Sequence, residues 1–296
     1  MNFDHQRVTI WEYTWVLVTG KPLALVSILS LTILMVCALG ADIISTHNPL
    51  EHGEGGRLES PSMRHYFGTD GFGRDVFSRV IHGARSTLLI GAIATTTATF
   101  LGIFVGTISA YLGGYVDLFI QQFVNTLLGF PFIVLAIIIV AAVGPSHTSI
   151  IIAITLSQAP QICRLSRSCA LLAKEEAYID AARVNGTPDS RIILKHILPN
   201  SIPPVAGQFA IYFGVAVAAD TTLSFLGLGL APPTPSWGSM IHEGLQQYFE
   251  VAPWTTIFPI IALIVTVLST ALIGDAVRER LDPGFLRDAY TANYPL

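Results

Sequence analysis

The chain has 296 residues, of which 52% are hydrophobic and 12% charged, with a formal net charge of −4. That is about half the charged fraction of an ordinary soluble domain. A core of this size cannot absorb so much apolar surface, so a soluble globular protein is excluded in favour of an all-α, polytopic membrane protein.

The charges sit in a few loops, so the net charge identifies no partner, and no nucleic-acid partner is expected. Cys37, Cys163 and Cys169 lie in or beside apolar runs and imply buried thiols rather than a disulfide framework.

Six candidate spans follow in order. Pro22 to Ala41 is uncharged, preceded by a segment that contains Asp4 and Glu12, and so reads as an uncleaved first helix rather than a signal peptide. Before the second span, Arg74 to Arg85 places Val76, Phe77, Val80, Ile81 and Ala84 on one helical face, with Arg74, Asp75, Arg79 and Arg85 elsewhere. Two readings stand: an amphipathic helix on the outer membrane surface, or a helix packed on the protein's own outer rim. Ser86 to Leu112 is the second span. The chain then carries no Asp, Glu, Lys or Arg from Leu118 to Cys163, broken at "GPSHTS" into spans near 118–143 and 148–166. A fifth span covers about 201–229 and a sixth runs from Val251 to Gly274. All but the fourth clear the roughly 20 residues that cross about 30 Å of hydrocarbon. Backbone groups in lipid must be satisfied internally, so these are helices, locally kinked or ended at Pro131, Pro160, Pro203, Pro204 and Pro259.

Orientation follows from the basic residues. With the N-terminus inside, the inner segments hold eleven: Arg7, Lys21, Arg164, Arg167, Lys174, Arg183, Arg191, Lys195, Arg278, Arg280 and Arg287. The outer side holds five: Arg57, Arg64, Arg74, Arg79 and Arg85. The positive-inside rule then places both termini in the cytoplasm. The chain divides into a first helix and outer loop over 1–85, a membrane core over 86–276 with an inner loop at about 168–200, and a tail over 277–296.

The inner loop contains "YIDAARVNGTPDSRIILKHILPN". Lys174 to Val184 suits a helix on which Ala177, Ala181 and Ala182 leave low relief and Asp180 pairs with Arg183. Gly186 suits a left-handed helix end. Thr187 is placed as an N-cap with Pro188 at the first helical position and Asp189 in the first turn. The second helix runs to about Leu198, and Pro199 ends it.

"DAARVNG" followed by "ILPN" resembles the cytoplasmic EAA loop of bacterial ABC importer permeases. The family pattern is E-A-A, three residues, G, nine residues, I-x-L-P. Asp180 stands for the Glu, while Ala181, Ala182, Gly186, Leu198 and Pro199 match and His196 replaces the Ile. "FGTDGFGRDVFSRVIHGARSTLLIG", "TTLSFLGLGLAPPTPSWGSM" and "LIGDAVRERLDP" are similar to the second permease subunit of dipeptide, oligopeptide and nickel importers. The resemblance implies a type I importer permease fold. It also implies a homologous sister permease, two cytoplasmic ATPases that bind ATP and Mg, and an extracytoplasmic solute-binding protein. This chain itself would hold no cofactor. The inner loop would be the helix that couples it to an ATPase, and the expected cargo is peptide, with nickel or another small solute as the alternative.

In the same picture "APPTPSWG" is a rigid outer loop whose Trp237, with Trp254, fits an aromatic belt. Asp220 is the one acid within an otherwise apolar span, about 15 Å of helix from Leu230. It should face the protein interior or a wet cavity. A carboxylate hydrogen-bonded to neighbouring helices is the first reading and a polar point on the translocation path the second.

Catalytic motifs are missing. "TGKP" has Trp15 and Pro22 where a phosphate-binding loop needs Gly and Ser or Thr, and "HEGLQ" ends in Gln where zinc needs a second His. An ion-coupled secondary transporter is the rival class, but no internal repeat is visible and only one acid lies in mid-span.

Overall fold

The computed structural model describes residues 22–53 and 55–281, with no strand among them. The reading of residues 1–21 as a cytoplasmic lead-in and of the last part of the 277–296 tail therefore falls outside the described residues. Helix α1 is Pro22–Leu39, followed by the short α2, Ala41–Ile44. The outer loop leads into α3, Val76–Leu112, then α4, Gly114–Leu128, and α5, Phe132–Val143. Next are α6, His147–Lys174, α7, Ala177–Val184, and α8, Asp189–Ile192. A wide turn over Ile193–Ile197 feeds α9, Leu198–Phe225. The chain ends with α10, Trp237–Glu243, a second wide turn over Gly244–Tyr248, and α11, Trp254–Leu281.

Four helical stretches are long and apolar enough to cross a membrane: α1, α3, the run Asp189–Phe225 and α11. The expected third span is not one rod, because α4 and α5 meet at 90° across Gly129–Pro131 and count as a fifth span only if taken together. Pro131 donates no hydrogen bond, and Gly129 satisfies the end of α4 by bonding back to Asn125 and Thr126. The fourth expected span is longer than its apolar stretch. Helix α6 runs on through Pro160 to Lys174, and its polar Ser157, Gln158 and Ser166 are buried in the bundle. Gln158 donates from Nε2 to the Tyr212 carbonyl of α9 at 2.8 Å. Such polar groups find partners within the protein, which is why the helix fails a simple hydropathy test and is still compatible with a sixth span.

Helix α3 organises the bundle. It is about 55 Å long at 1.5 Å per residue, so it exceeds the hydrocarbon thickness. Asp75 caps it, accepting from Ser78 N at 2.8 Å. Of the two readings of residues 74–85, the helix packed on the protein's own outer rim holds and the membrane-surface helix does not, because Val76 to Arg85 are the first turns of α3. Val76, Val80 and Ala84 pack with Phe213, Val217, Trp237 and Met240, while Arg74 and Arg79 are buried on another side. Arg74 Nε lies 2.7 Å and Arg79 Nε 3.4 Å from Asp70 Oδ2, and Arg74 also reaches Glu243 at 3.4 Å. This ion cluster ties the outer loop to α10. Trp237 is likewise not in an interfacial belt: it is wholly buried and donates to the Val80 carbonyl at 3.0 Å. Trp254 donates to the Thr69 carbonyl at 3.1 Å and is half-buried. The three cysteines are free, but only Cys163 is buried; Cys37 and Cys169 are half-buried, short of the burial expected of them.

Among the described residues, helices α3 and α6 make the most extensive packing. Gly102 and Gly106 on α3 let the backbones touch: a Cβ at Gly106 would collide with the Cys163 carbonyl, and one at Gly102 with Ile162. Two small residues four apart are the pattern that allows close helix approach in membranes. Conversely, large apolar side chains such as Leu29, Leu39, Tyr115, Phe119 and Phe123 are exposed, as lipid or another membrane helix requires. Gly106→Leu should drive α3 and α6 apart at an overpacking cost of about 1–3 kcal/mol. Its melting temperature in detergent should fall clearly below that of a Phe104→Leu control, since Phe104 is exposed.

Candidate coupling loop and membrane-embedded acid

The segment between α6 and α9 is held down from both sides. Ile179 of α7, Ile192 of α8 and Ile197 are fully buried against Ala110 and Tyr111 of α3 and Ala170 and Ala173 of α6. Polar contacts reinforce that seat. Lys174 Nζ donates to the carbonyls of Tyr111 at 2.8 Å and Ala110 at 3.3 Å, at the negative end of α3. The Tyr111 hydroxyl donates to Asp189 Oδ1 in the first turn of α8. Below this, Arg167 Nε donates to Asp117 Oδ1 at 2.7 Å and Ser109 donates to the same carboxylate, so α3, α4 and α6 are joined where the loop begins.

The loop's own turn is as its sequence suggests. Gly186 has φ +71°. Thr187 N donates to Ala182 O at 3.0 Å and Gly186 N to Arg183 O at 2.9 Å, the paired bonds of a Schellman helix end. Asp180 Oδ1 lies 3.2 Å from Arg183 Nη1, an exposed pair of small energetic weight. Helix α7 starts at Ala177 rather than at Lys174, which ends α6, and two further details differ from expectation. Pro188, not Thr187, occupies the N-cap of α8, and no side chain caps it. Pro199 does not end the helix: Leu198 N bonds to Ile193 O in a widened turn, and the chain continues into α9 with Pro199 in its first turn, where a missing N–H costs little.

Of the residues singled out in this loop, Asp180, Ala181, Gly186 and Pro199 are exposed, whereas Ala182 and Leu198 are half-buried. Ala177, Tyr178, Ala181 and Val184 form the outward side of α7, and Val184 is 88% exposed. The loop thus presents a small apolar surface with low relief, while its opposite side is clamped to α3 and α6. The anchors Tyr111, Lys174 and Asp117 lie far from the loop motif in sequence, and only the fold brings them to it.

Asp220 faces the interior, being 1% exposed on α9. The expected hydrogen bonds to neighbouring helices are absent. Neither carboxylate oxygen has a partner, and the nearby Thr87 hydroxyl of α3 approaches without completing a bond. One turn further, the Ser224 hydroxyl is also buried and unpartnered. Ser224 lines a cavity of about 810 Å³ at the outer end, together with Arg74, Arg79, His242 and Glu243. Asp220 therefore lies just beneath the floor of an outer cavity, apart from the loop.

With this geometry in place, comparison with known proteins is direct. Residues 98–287 match the family described as the binding-protein-dependent transport system inner membrane component. The chain belongs to that family: it is a multi-pass membrane permease of an ABC-type importer, a class that works with ATPase and binding-protein partners. It is similar to the dipeptide transport system permease protein DppC of Alkalihalophilus pseudofirmus, 39% identical over 280 residues, covering 95% of this chain and 92% of that protein. The glutathione transport system permease protein GsiD of Shigella dysenteriae is 35% identical over 276 residues, covering 93% of this chain and 91% of its own length. Among solved structures, the inward-facing MetNI methionine ABC transporter aligns with a TM-score of 0.57 over 69% of this chain and 96% of that chain. At 18% identity that likeness speaks to the fold alone.

An unpaired buried carboxylate destabilises the state that holds it. Asp220→Val, which keeps similar bulk and removes the polar oxygens, should therefore melt in detergent at or above the wild-type temperature. A clear fall would mean that the carboxylate has stabilising partners after all.

Proposed function

We propose that the chain and a homologous sister permease enclose a pathway for peptides, di- or oligopeptides, across a bacterial cytoplasmic membrane. Two cytoplasmic ATPases power it and a binding protein delivers the cargo on the other side. The peptide cargo rests on the relatives named for dipeptide and glutathione transport, which match over nearly the whole chain. The end bearing Lys174, Arg183, Arg191 and Lys195 is the cytoplasmic one by its basic charge, which puts both termini in the cytoplasm.

The observation that carries the reading is the clamped loop. Its α7 exposes Ala181 and Val184 as a docking surface while Ile179, Ile192 and Ile197 lock it to α3 and α6. A push from an ATPase on α7 would be delivered to those two helices as a rigid displacement. Asp180, Ala181, Ala182, Gly186, Leu198 and Pro199 are assigned to this coupling element. ATP and Mg belong to the partner subunits, because Gly20-Lys21 lacks the rest of a phosphate-binding loop. For transport to be coupled, a loaded binding protein and ATP must both favour the outward-facing state of the pair.

Asp220 is assigned to the pathway. A buried carboxylate with no completed hydrogen bond in the bundle, one turn below the Ser224 floor of the outer cavity, is suited to meet a cationic cargo group such as a peptide ammonium.

Uptake of a labelled dipeptide by the assembled transporter tests both assignments. Gly186→Val forces a β-branched residue into φ +71°, so uptake should fall at least about tenfold with normal membrane abundance. Asp220→Asn should also lose uptake at normal abundance. Wild-type uptake and ATPase docking in the Gly186 variant would remove the coupling assignment, and wild-type uptake in the Asn variant would return Asp220 to a structural role.

A further inference from the structure

The outer loop brings together three side chains that the transport reading leaves without a task. His47 follows α2, His65 lies in the middle of the loop, and Asp75 caps α3. Each offers one ligand atom, and the three atoms lie within 4.8 Å of one another. His65 Nδ1 is 2.9 Å from Asp75 Oδ1, and His47 Nδ1 is 3.9 Å from the same oxygen. Metal–ligand bonds of about 2.0–2.2 Å at tetrahedral angles separate neighbouring ligand atoms by about 3.3 Å. Those two separations bracket that value, and the third, between the two histidine nitrogens, lies within 4.8 Å, so seating an ion requires the His47 and His65 rings to close by up to about 1.5 Å.

The surroundings hold these groups in place. His65 and Asp75 are fully buried. Asp75 Oδ2 is fixed by Ser78 N and Ser78 Oγ, each at 2.8 Å, which leaves Oδ1 to the histidines. His47 is held through its backbone N–H, which donates to Ser78 Oγ at 3.1 Å; its Nδ1 lies 3.0 Å from Thr46 Oγ1, a hydrogen bond that an ion would replace, and its ring lies 4.6 Å from that of His65. The buried imidazole of His65 is only half satisfied, with Nε2 unpartnered and lodged against Gly55. The His47 side chain is 21% exposed and lines an outer cavity of about 770 Å³ with Thr46, Asn48, His82 and Arg85. An ion could enter from that side, and a water or a solute group could occupy the remaining coordination position.

We infer that His47, His65 and Asp75 form a binding site for a divalent transition-metal ion, which braces the end of α2 and the outer loop against the N-terminus of α3. Two imidazoles and one carboxylate suit Zn²⁺, Co²⁺ or Ni²⁺, whereas Mg²⁺ and Ca²⁺ call for oxygen ligands. The site is separate from the ATPase-facing loop and from Asp220, so it stands whether or not those assignments do.

The test uses the chain with its sister permease in lipid nanodiscs, purified with a tag free of histidine and stripped with a chelator. Zn²⁺ is titrated by calorimetry and the melting temperature is read with Zn²⁺ or Mg²⁺. His47→Ala is the informative variant, because it leaves the His65–Asp75 and Asp75–Ser78 hydrogen bonds in place and should fold normally. His52→Ala controls for a neighbouring loop histidine. The expected result is one Zn²⁺ per chain at low micromolar metal, a melting temperature raised by Zn²⁺ and not by Mg²⁺, and at least about tenfold weaker binding in His47→Ala alone. No stoichiometric Zn²⁺ uptake by the wild type, equal response to Mg²⁺, or undiminished affinity in His47→Ala would each overturn the inference.

Discussion

The backbone contact between α3 and α6 at Gly102 and Gly106 is the constraint on which the rest of the molecule depends. In lipid no hydrophobic effect holds helices together, so close van der Waals approach and buried polar bonds must do so. Around that contact Thr107 and Ser166 bond at 3.2 Å, and Thr155 donates to the Ala94 carbonyl at 3.2 Å. The two helices run as a unit to the end where Lys174 of α6 holds the last carbonyls of α3. A loop seated on that joint inherits its rigidity. The same joint gives the loop its leverage, because anything that moves α7 must move the pair.

The two ends of the bundle are built by different physics. At the loop end a cluster of isoleucines and alanines makes a small apolar seat, with a low-relief side left facing outward. At the opposite end, charge does the structural work. Asp70, Arg74, Arg79 and Glu243 interlock the outer loop with α10 while Asp75 caps α3. Removing one member of such a buried ion cluster leaves another uncompensated, so the cluster behaves as a unit. Between the ends, Asp220 is the buried carboxylate whose two oxygens both lack a hydrogen-bond partner, with the Thr87 and Ser224 hydroxyls near it also unpartnered.

Features set by local sequence were legible without the fold. Gly186 had to end a helix, Asp180 and Arg183 had to meet, and the charge-free runs had to be helices in lipid. What escaped depends on contacts far apart in the chain. Trp237 reads as an interfacial aromatic, but its partner is the Val80 carbonyl, 157 residues away. Arg74 and Arg79 could be placed only off the apolar face, because Glu243 is invisible from their own neighbourhood. The start of α3 at Val76 did have a local signal, the Asp75 and Ser78 spacing of an N-cap, which the apolar count alone passes over. The small-residue pair Gly102 and Gly106 is likewise written in the sequence, although nothing local says which helix it meets.

The account stands or falls on α7 as the surface that meets an ATPase, and proximity in the assembled transporter measures this directly. A photoreactive amino acid at Val184, 88% exposed on that surface, should crosslink to an ATPase subunit in native membranes, while the same group at Thr234 on the outer cavity should not. Crosslinking from Thr234 but not from Val184 would contradict the account.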